Sequence, residues 1–215
     1  YKQRVGVLEE ECQRLNCRFI TAQTLRRPYI TLKWARSADG FIDRWRESAD
    51  EEPAHISTEH SLMHVHRLRA ENQAILVGHR TLSLDHPTLT VRHWAGNNPL
   101  RVVLGRIAEG ELPAGFQAFA DKSTMLSELY RQTLLIEGGQ QTLQSFIDEG
   151  LWDEAYVEVG QTVLGSGVPE PRMPVGVTLT PRQVFGATVW HYVNNEEVPE
   201  TDDDLGEASF AGSES

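Results

Sequence analysis

The residues best suited to chemistry in this 215-residue chain are Lys33, Arg69, Arg92 and Glu137, distant in sequence, with Gly138-Gly139 directly after the acid. Guanidinium groups fork onto phosphate or carboxylate oxygens and keep their charge at any physiological pH. Glu137 follows the apolar run Leu134-Leu135-Ile136 and precedes glycine, so its carboxylate must satisfy backbone donors or face a ligand. Lys33 has two readings: a strand residue whose ammonium escapes to solvent, or a cation at the carboxyl end of a strand, where open α/β sheets bind ligands. Asp85-His86-Pro87 reads first as a turn in which Asp bonds the backbone. His60 and His64 share a helical face, with His66 close by, yet the order His-Glu-x-x-His is absent and nothing completes a ligand set. The reading is an exposed polar helix face and no metal. Cys12 and Cys17 are too few for a disulfide framework, which points to reduced thiols and a cytoplasmic protein.

These side chains need elements to position them. Residues 133–136 are short and branched enough for an inner strand, Gly138-Gly139 turns the chain, and Leu143, Phe146 and Ile147 then fall on one helical face. Strand, glycine turn and helix N-terminus together form an anion site suited to the pyrophosphate of a dinucleotide. Gly-x-Gly-x-x-Gly is missing, which disfavours a standard Rossmann domain. Upstream, residues 29–35 alternate Tyr29, Thr31, Lys33 and Ala35 against Ile30, Leu32 and Trp34, a strand with two distinct faces. Ser57 or Thr58 caps a helix striped by Leu62, Val65 and Leu68. Further strands are expected over 74–77, 101–104, 155–159, 175–179 and 184–193, a short helix near Leu126, Leu129 and Tyr130, and a mobile polar loop over 43–54. Strands alternating with helices and ending strand-rich indicate an α/β domain with a mixed sheet.

Length allows one sizeable core. The net charge is −11, but residues 196–215 hold eight acids and no base, leaving 23 acids against 20 bases elsewhere. That tail reads as solvated and disordered. No continuous basic face for nucleic acid and no apolar run of membrane-spanning length is present, so neither is expected as a partner. Before residue 27, Val5, Leu8, Cys12, Leu15 and Phe19 alternate steps of three and four, a helix followed by a linker.

Three ordered segments resemble one family: residues 27–40 (RPYITLKWARSADG), residues 68–92 (LRAENQAILVG through Thr81, Asp85-His86-Pro87, Leu89 and Arg92), and Ile136-Glu137-Gly138-Gly139. They are similar to the reductase domain of the bifunctional riboflavin biosynthesis proteins (RibD), over about residues 27–195. Residues 1–26 resemble the last helix of the deaminase domain in such proteins, and its zinc signature, His-x-Glu with Pro-Cys-x-x-Cys, is absent. The resemblance implies a dihydrofolate-reductase-like fold, a central mixed β-sheet flanked by helices, with NADPH as hydride donor. It implies reduction of 5-amino-6-(5-phosphoribosylamino)uracil at C1′ of the opened ribosylamine, a homodimer, and native fusion to a zinc deaminase domain. Carried over by motif, Arg69, Leu89 and Arg92 lie along the substrate, the two arginines taking its phosphate, and Glu137 meets ribityl hydroxyls or the amine. Ala35, Thr81 and Asp85 face the cofactor, and Gly139, Gln140, Gln141, Thr142, Leu143, Gln144 and Ser145 cradle its phosphates. Lys33, in the motif with Asp39, stabilises developing charge. The chain departs from the family at Pro53 and His55, where Ser and Trp are usual, and at Gly105-Arg106, where an acid is usual; Arg106 there would meet a 2′-phosphate. Two other readings stay open: a reductase of the same fold acting on another pyrimidine or a pterin, and a non-catalytic dimerisation scaffold.

Overall fold

A computed structural model describes residues 8–194, save Glu109 and the side chain of Glu10. The acidic tail and Val5 of the N-terminal stripe lie outside those residues.

Eight strands form one sheet in the order β5-β4-β3-β6-β1-β7-β10-β9. At its centre are β1 (Tyr29–Arg36), β3 (Ala74–Gly78), β6 (Thr133–Ile136) and β7 (Glu154–Val159), parallel throughout. β4 (Leu100–Leu104) and β5 (Phe116–Phe119) extend one side in parallel, while β10 (Ala187–Val193) and β9 (Thr178–Val184) close the other side antiparallel. The sheet is therefore mixed. Every residue of β3 and β6 is buried, as an apolar strand covered on both faces requires.

Alternation along β1 sorts the two cores. Ile30, Leu32 and Trp34 join Leu143, Phe146 and Ile147 of α6 (Gln140–Asp148) and Met125 and Leu129 of α5 (Lys122–Leu129) on one face. On the other, Ile75, Val77, Val103 and Leu135 meet Leu68 of α3 (Glu59–Glu71) and Leu82 of α4 (His79–Asp85). Thr58 caps α3 by accepting from the Ser61 N–H at 3.2 Å, and Ser61 Oγ accepts from Thr58 N–H in return.

Four sequence expectations are corrected. The expected strand over 184–193 is a hairpin arm that starts at Ala187, because Phe185 (φ 49°) and Gly186 (φ 79°) turn the chain, and its partner runs Thr178–Val184. The 43–54 segment is fixed: Arg46 is buried and holds both Asp43 (2.7 Å) and Asp85 (2.6 Å), while β2 (Phe41–Asp43) pairs with β8 (Val168–Pro169). His64 and His66 are buried on the inner side of α3, leaving only His60 exposed. The N-terminal segment folds as α1 (Glu9–Leu15) and α2 (Cys17–Thr24), with Leu8, Cys12, Leu15 and Phe19 outward.

Candidate active site at the carboxyl ends of the strands

The chain leaves β1 towards β3 on one side and leaves β6 towards β7 on the other, so the winding reverses at the β6–β1 pair. Crevices at such reversals are where open α/β sheets seat ligands. Leu32 pairs with Ile136, so the next residues, Lys33 and Glu137, are lateral neighbours turned towards α3.

Above them, Arg69 donates from Nε to Glu137 Oε1 (3.0 Å) and from Nη2 to Oε2 (2.6 Å), and from Nη1 to the Thr90 carbonyl (3.2 Å). Both side chains are nearly enclosed, at 12% and 14% exposure. Burial alone would raise the pKa of Glu137, but the Arg69 charge and its two hydrogen bonds, with Lys33 and His66 nearby, hold it below the ordinary carboxylate value. Glu137 is therefore a fixed anion. Lys33 is half-buried, has no hydrogen bond or ion pair among the described residues, and acts electrostatically on both Glu137 and His64.

The loop after α4 reaches this cluster through its main chain. His66 Nδ1 accepts the Arg92 backbone N–H at 3.0 Å, which fixes the neutral tautomer protonated on Nε2. Burial first, then Arg69, His93 and Arg92, push the His66 pKa down to about 4. Arg69, Arg92 and Glu137 thus all border one histidine. The Arg92 guanidinium is exposed and donates to Thr88 Oγ1. Leu89, expected along the substrate, has its side chain in the core at 2% exposure and a left-handed backbone (φ 52°), leaving only its main chain to border a ligand.

The glycine turn is built for close approach. A Cβ on Gly78, at the end of β3, would sit 2.4 Å from Thr142 Oγ1, and one on Gly138 would sit 3.2 Å from Thr142 Cβ. Gly139 is the N-cap of α6, with no side-chain cap on that end, so the first amides of the helix face the crevice uncovered. The Gly139 N–H itself is taken by Thr81 Oγ1 at 3.1 Å.

Over 139–145, where the resemblance implies a cofactor cradle, three side chains are engaged within the protein. Leu143 is a core residue, Gln144 bonds Asp148 (2.7 Å) and the Arg172 main chain, and Ser145 accepts from Lys122 (3.2 Å), all directed away from the turn. Gln140, Gln141 and Thr142 remain at the rim. Asp85 is engaged by Arg46, and the Arg80 guanidinium donates to the Arg46 carbonyl. Ala35 lies half-buried at the end of β1 opposite Glu158. Asp39 ties its own turn to a distant loop, accepting from Ser37 Oγ and from the amides of Leu164 and Gly165. Pro53, His55 and Arg106 are exposed, and Gly105 (φ 138°) packs against His79 just before Arg106.

Sequence reasoning missed the polar row beneath α3. Glu154 accepts from Thr31 Oγ1 (3.1 Å), Tyr156 Oη (3.1 Å) and His191 Nε2 (3.0 Å). Tyr156 stacks on His191 at 4.5 Å and meets His64 edge-on at 5.3 Å. Burial and the Glu154 charge push the Tyr156 hydroxyl above its ordinary value. The available signal was the pattern Glu154, Tyr156, Glu158, polar groups on alternate residues of a strand with both faces covered.

The protein-family model described as RibD C-terminal domain matches residues 28–184. A riboflavin biosynthesis protein RibD from Aquifex aeolicus is 33% identical over 199 residues, covering 76% of this chain and 55% of its own length. The solved structure of a diaminohydroxyphosphoribosylaminopyrimidine deaminase/5-amino-6-(5-phosphoribosylamino)uracil reductase from Thermotoga maritima superposes with a TM-score of 0.71 at 26% identity, over 87% of this chain and 62% of that one. A dihydrofolate reductase from Enterococcus faecalis, solved with NADP(H), shares the fold at a TM-score of 0.58 and 17% identity, over 78% of this chain and 97% of its own. This chain spans about half the length of the curated relatives it matches.

Proposed function

The chain belongs to the RibD C-terminal domain family, and from that membership we propose a nicotinamide-dependent reductase of a phosphorylated pyrimidine. The substrate is 5-amino-6-(5-phosphoribosylamino)uracil, reduced to its ribitylamino counterpart, with NADPH as donor. The carrying observation is the gathering of Lys33, Glu137, Arg69 and the 88–92 loop at the strand ends beside the uncapped start of α6.

The residues present fit the cofactor: Gly138 and Gly139 keep side chains off the rim, and free amides at the α6 terminus suit a pyrophosphate. When bound, the nicotinamide supplies a hydride. Arg92, exposed and without an ion pair among the described residues, is the phosphate fork, while Arg69 serves by holding Glu137 ionised and oriented. Glu137 accepts from ribityl hydroxyls or the amine. Opening the ribosyl ring forms the C1′–N double bond and leaves negative charge on the ring oxygen, which the Lys33 ammonium neutralises. Positioning carries most of the rate. Arg106 beyond β4 meets the 2′-phosphate and favours NADPH over NADH; Arg106→Ala with an unchanged preference removes that assignment. Membership also supports a homodimer, native fusion to a zinc deaminase domain and a cytoplasmic enzyme, with 1–26 as the deaminase remnant and 27–195 as the reductase.

The test is a titration of the protein with NADPH and NADH by fluorescence, then addition of the pyrimidine before and after deamination while nicotinamide absorbance is followed. Loss of absorbance with the deaminated compound is the expected result. Absent cofactor binding points to a scaffold, and binding without turnover to a reductase of another pyrimidine or a pterin.

A further inference from the structure

Glu158, near the carboxyl end of β7, is the most enclosed acid among the described residues, at 5% exposure. It is also the least satisfied of the three acids on the α3 side of the sheet. Glu137 has the Arg69 fork and Glu154 has three donors, whereas Glu158 accepts only from Ser57 Oγ, at Oε2 (2.8 Å), and has no ion pair among the described residues. A carboxylate has about four acceptor sites, and one neutral hydroxyl does not offset the burial of its charge. Anchoring Ser57 at the start of α3 accounts for Oε2 alone, and a glutamine would do that without burying a charge. Oε1 has no partner among the described residues and, unlike His64 Nε2, is not sealed from solvent.

The register places this oxygen at the crevice. Glu158 lies opposite Ala35 and so projects on the face of Lys33, with buried Val189 on its other side and half-buried Ala35 on the crevice side. Segment 55–57 is pressed onto the strand end above it, where a Cβ on Gly160 would sit 2.6 Å from Ile56 Cγ2. Resting on the reductase reading, we propose that Glu158 is a substrate-binding residue whose Oε1 accepts a ring N–H of the pyrimidine and fixes the plane of that ring. The strand order β6-β1-β7 sets Glu137 and Glu158 two strand spacings apart, about 10 Å across the sheet. A sugar held at Glu137 therefore extends its base across β1 over Ala35, whose methyl leaves room for flat rings. The carboxylate can only accept, so it selects rings with an N–H on that edge and rejects rings that present only acceptors there.

The test compares wild type, Glu158→Leu and Glu158→Gln by kinetics on the pyrimidine phosphate, inhibition by ribose 5-phosphate, which lacks the base, and thermal melts. Glu158→Leu should raise KM for the pyrimidine roughly tenfold or more. Inhibition by ribose 5-phosphate and NADPH affinity should stay within about twofold, and the melting temperature should not fall, since the buried charge is gone. Glu158→Gln, whose amide can bond Ser57 through nitrogen and still present an oxygen, should have a KM between the two. Wild-type KM in Glu158→Leu overturns the assignment, as does an equal loss of ribose 5-phosphate binding, which marks Glu158 as a tether for α3. Should Glu158→Leu fail to fold, Glu158→Gln decides by the same comparison: a KM raised about threefold or more with ribose 5-phosphate unaffected supports the assignment, and wild-type KM overturns it. A wild type that never turns over the pyrimidine phosphate overturns the reductase reading and this inference with it; turnover with a KM insensitive to Glu158 overturns the inference alone.

Discussion

Replacing Arg69 with Ala removes one partner of an enclosed pair and strands the other. Glu137 keeps its place at the end of β6, since its backbone N–H is fixed to the Leu76 carbonyl at 3.0 Å. The carboxylate then has no fork opposite it, and breaking such a pair from one side costs about 3–5 kcal/mol. With 12% and 14% of the side chains still exposed, water recovers part of the loss, which places the expectation near 3 kcal/mol. For a domain of this size that is a fall of roughly 6–12 °C in melting temperature. Replacing both with Leu should restore stability to within about 1 kcal/mol of wild type, because neither charge is then buried. Urea unfolding of the wild type, both single variants and the double variant measures the coupling directly. The Glu137 carboxyl is held below its unfolded value, so this stabilisation is present above about pH 4.3 and is lost as pH falls through the folded pKa. A coupling below about 0.5 kcal/mol at neutral pH would refute the claim that the pair is desolvated and mutually dependent.

Gly78→Ala should cost about 1–3 kcal/mol through its clash with Thr142 Oγ1, although its backbone (φ −76°) accepts alanine, and Thr142→Ala should relieve most of it in a melt of the double variant. Arg46→Ala should release the 44–54 segment from Asp85, with faster amide hydrogen exchange there and little change in β3 or β6; unchanged exchange would show that the guanidinium does not hold it. His64 and His66 have folded pKa values near 4 against 6.5 unfolded, so stability should be full above about pH 6.5 and fall as pH drops towards 4. Chemical denaturation at several pH values checks this, and His66→Gln should flatten the slope.

Much of the scaffold was legible because it follows from patterns with one solution. Residues 134–136 and 74–77 are apolar on every position, which in an alternating chain means a central parallel strand. The missed elements lack such patterns. β5 exposes Gln117 and Ala118 at the sheet edge, and α4 is seven residues long with no side-chain cap. The hairpin turn is hidden inside an apolar run, because Phe185 adopts a left-handed conformation that its type does not advertise. The site was half legible. Motif order indicated Lys33, Arg69, Arg92 and Glu137, but hydrophobicity misplaced His64, His66 and Arg46, polar residues buried by partners that only the tertiary structure supplies.

How fully each cation is already paired, more than how many cations there are, separates their roles. Arg69 spends three donors on Glu137 and Thr90, and Arg46, itself buried, spends its own on Asp43 and Asp85, so neither can meet a phosphate without abandoning its carboxylate partners. Lys33 and Arg92 have no such obligation among the described residues. On the proposed reading, an anionic ligand entering the crevice would meet those two first. Because Arg92 is tied to His66 through its main chain, its guanidinium can swing onto a ligand while the loop stays docked on α3. Arg92→Ala should therefore weaken binding of the phosphorylated pyrimidine with little change in melting temperature, the opposite signature from Arg69→Ala. If the two substitutions instead destabilise the fold alike, the Arg92 guanidinium is a structural tie of the same kind as Arg69, and the division between holding and binding cations fails.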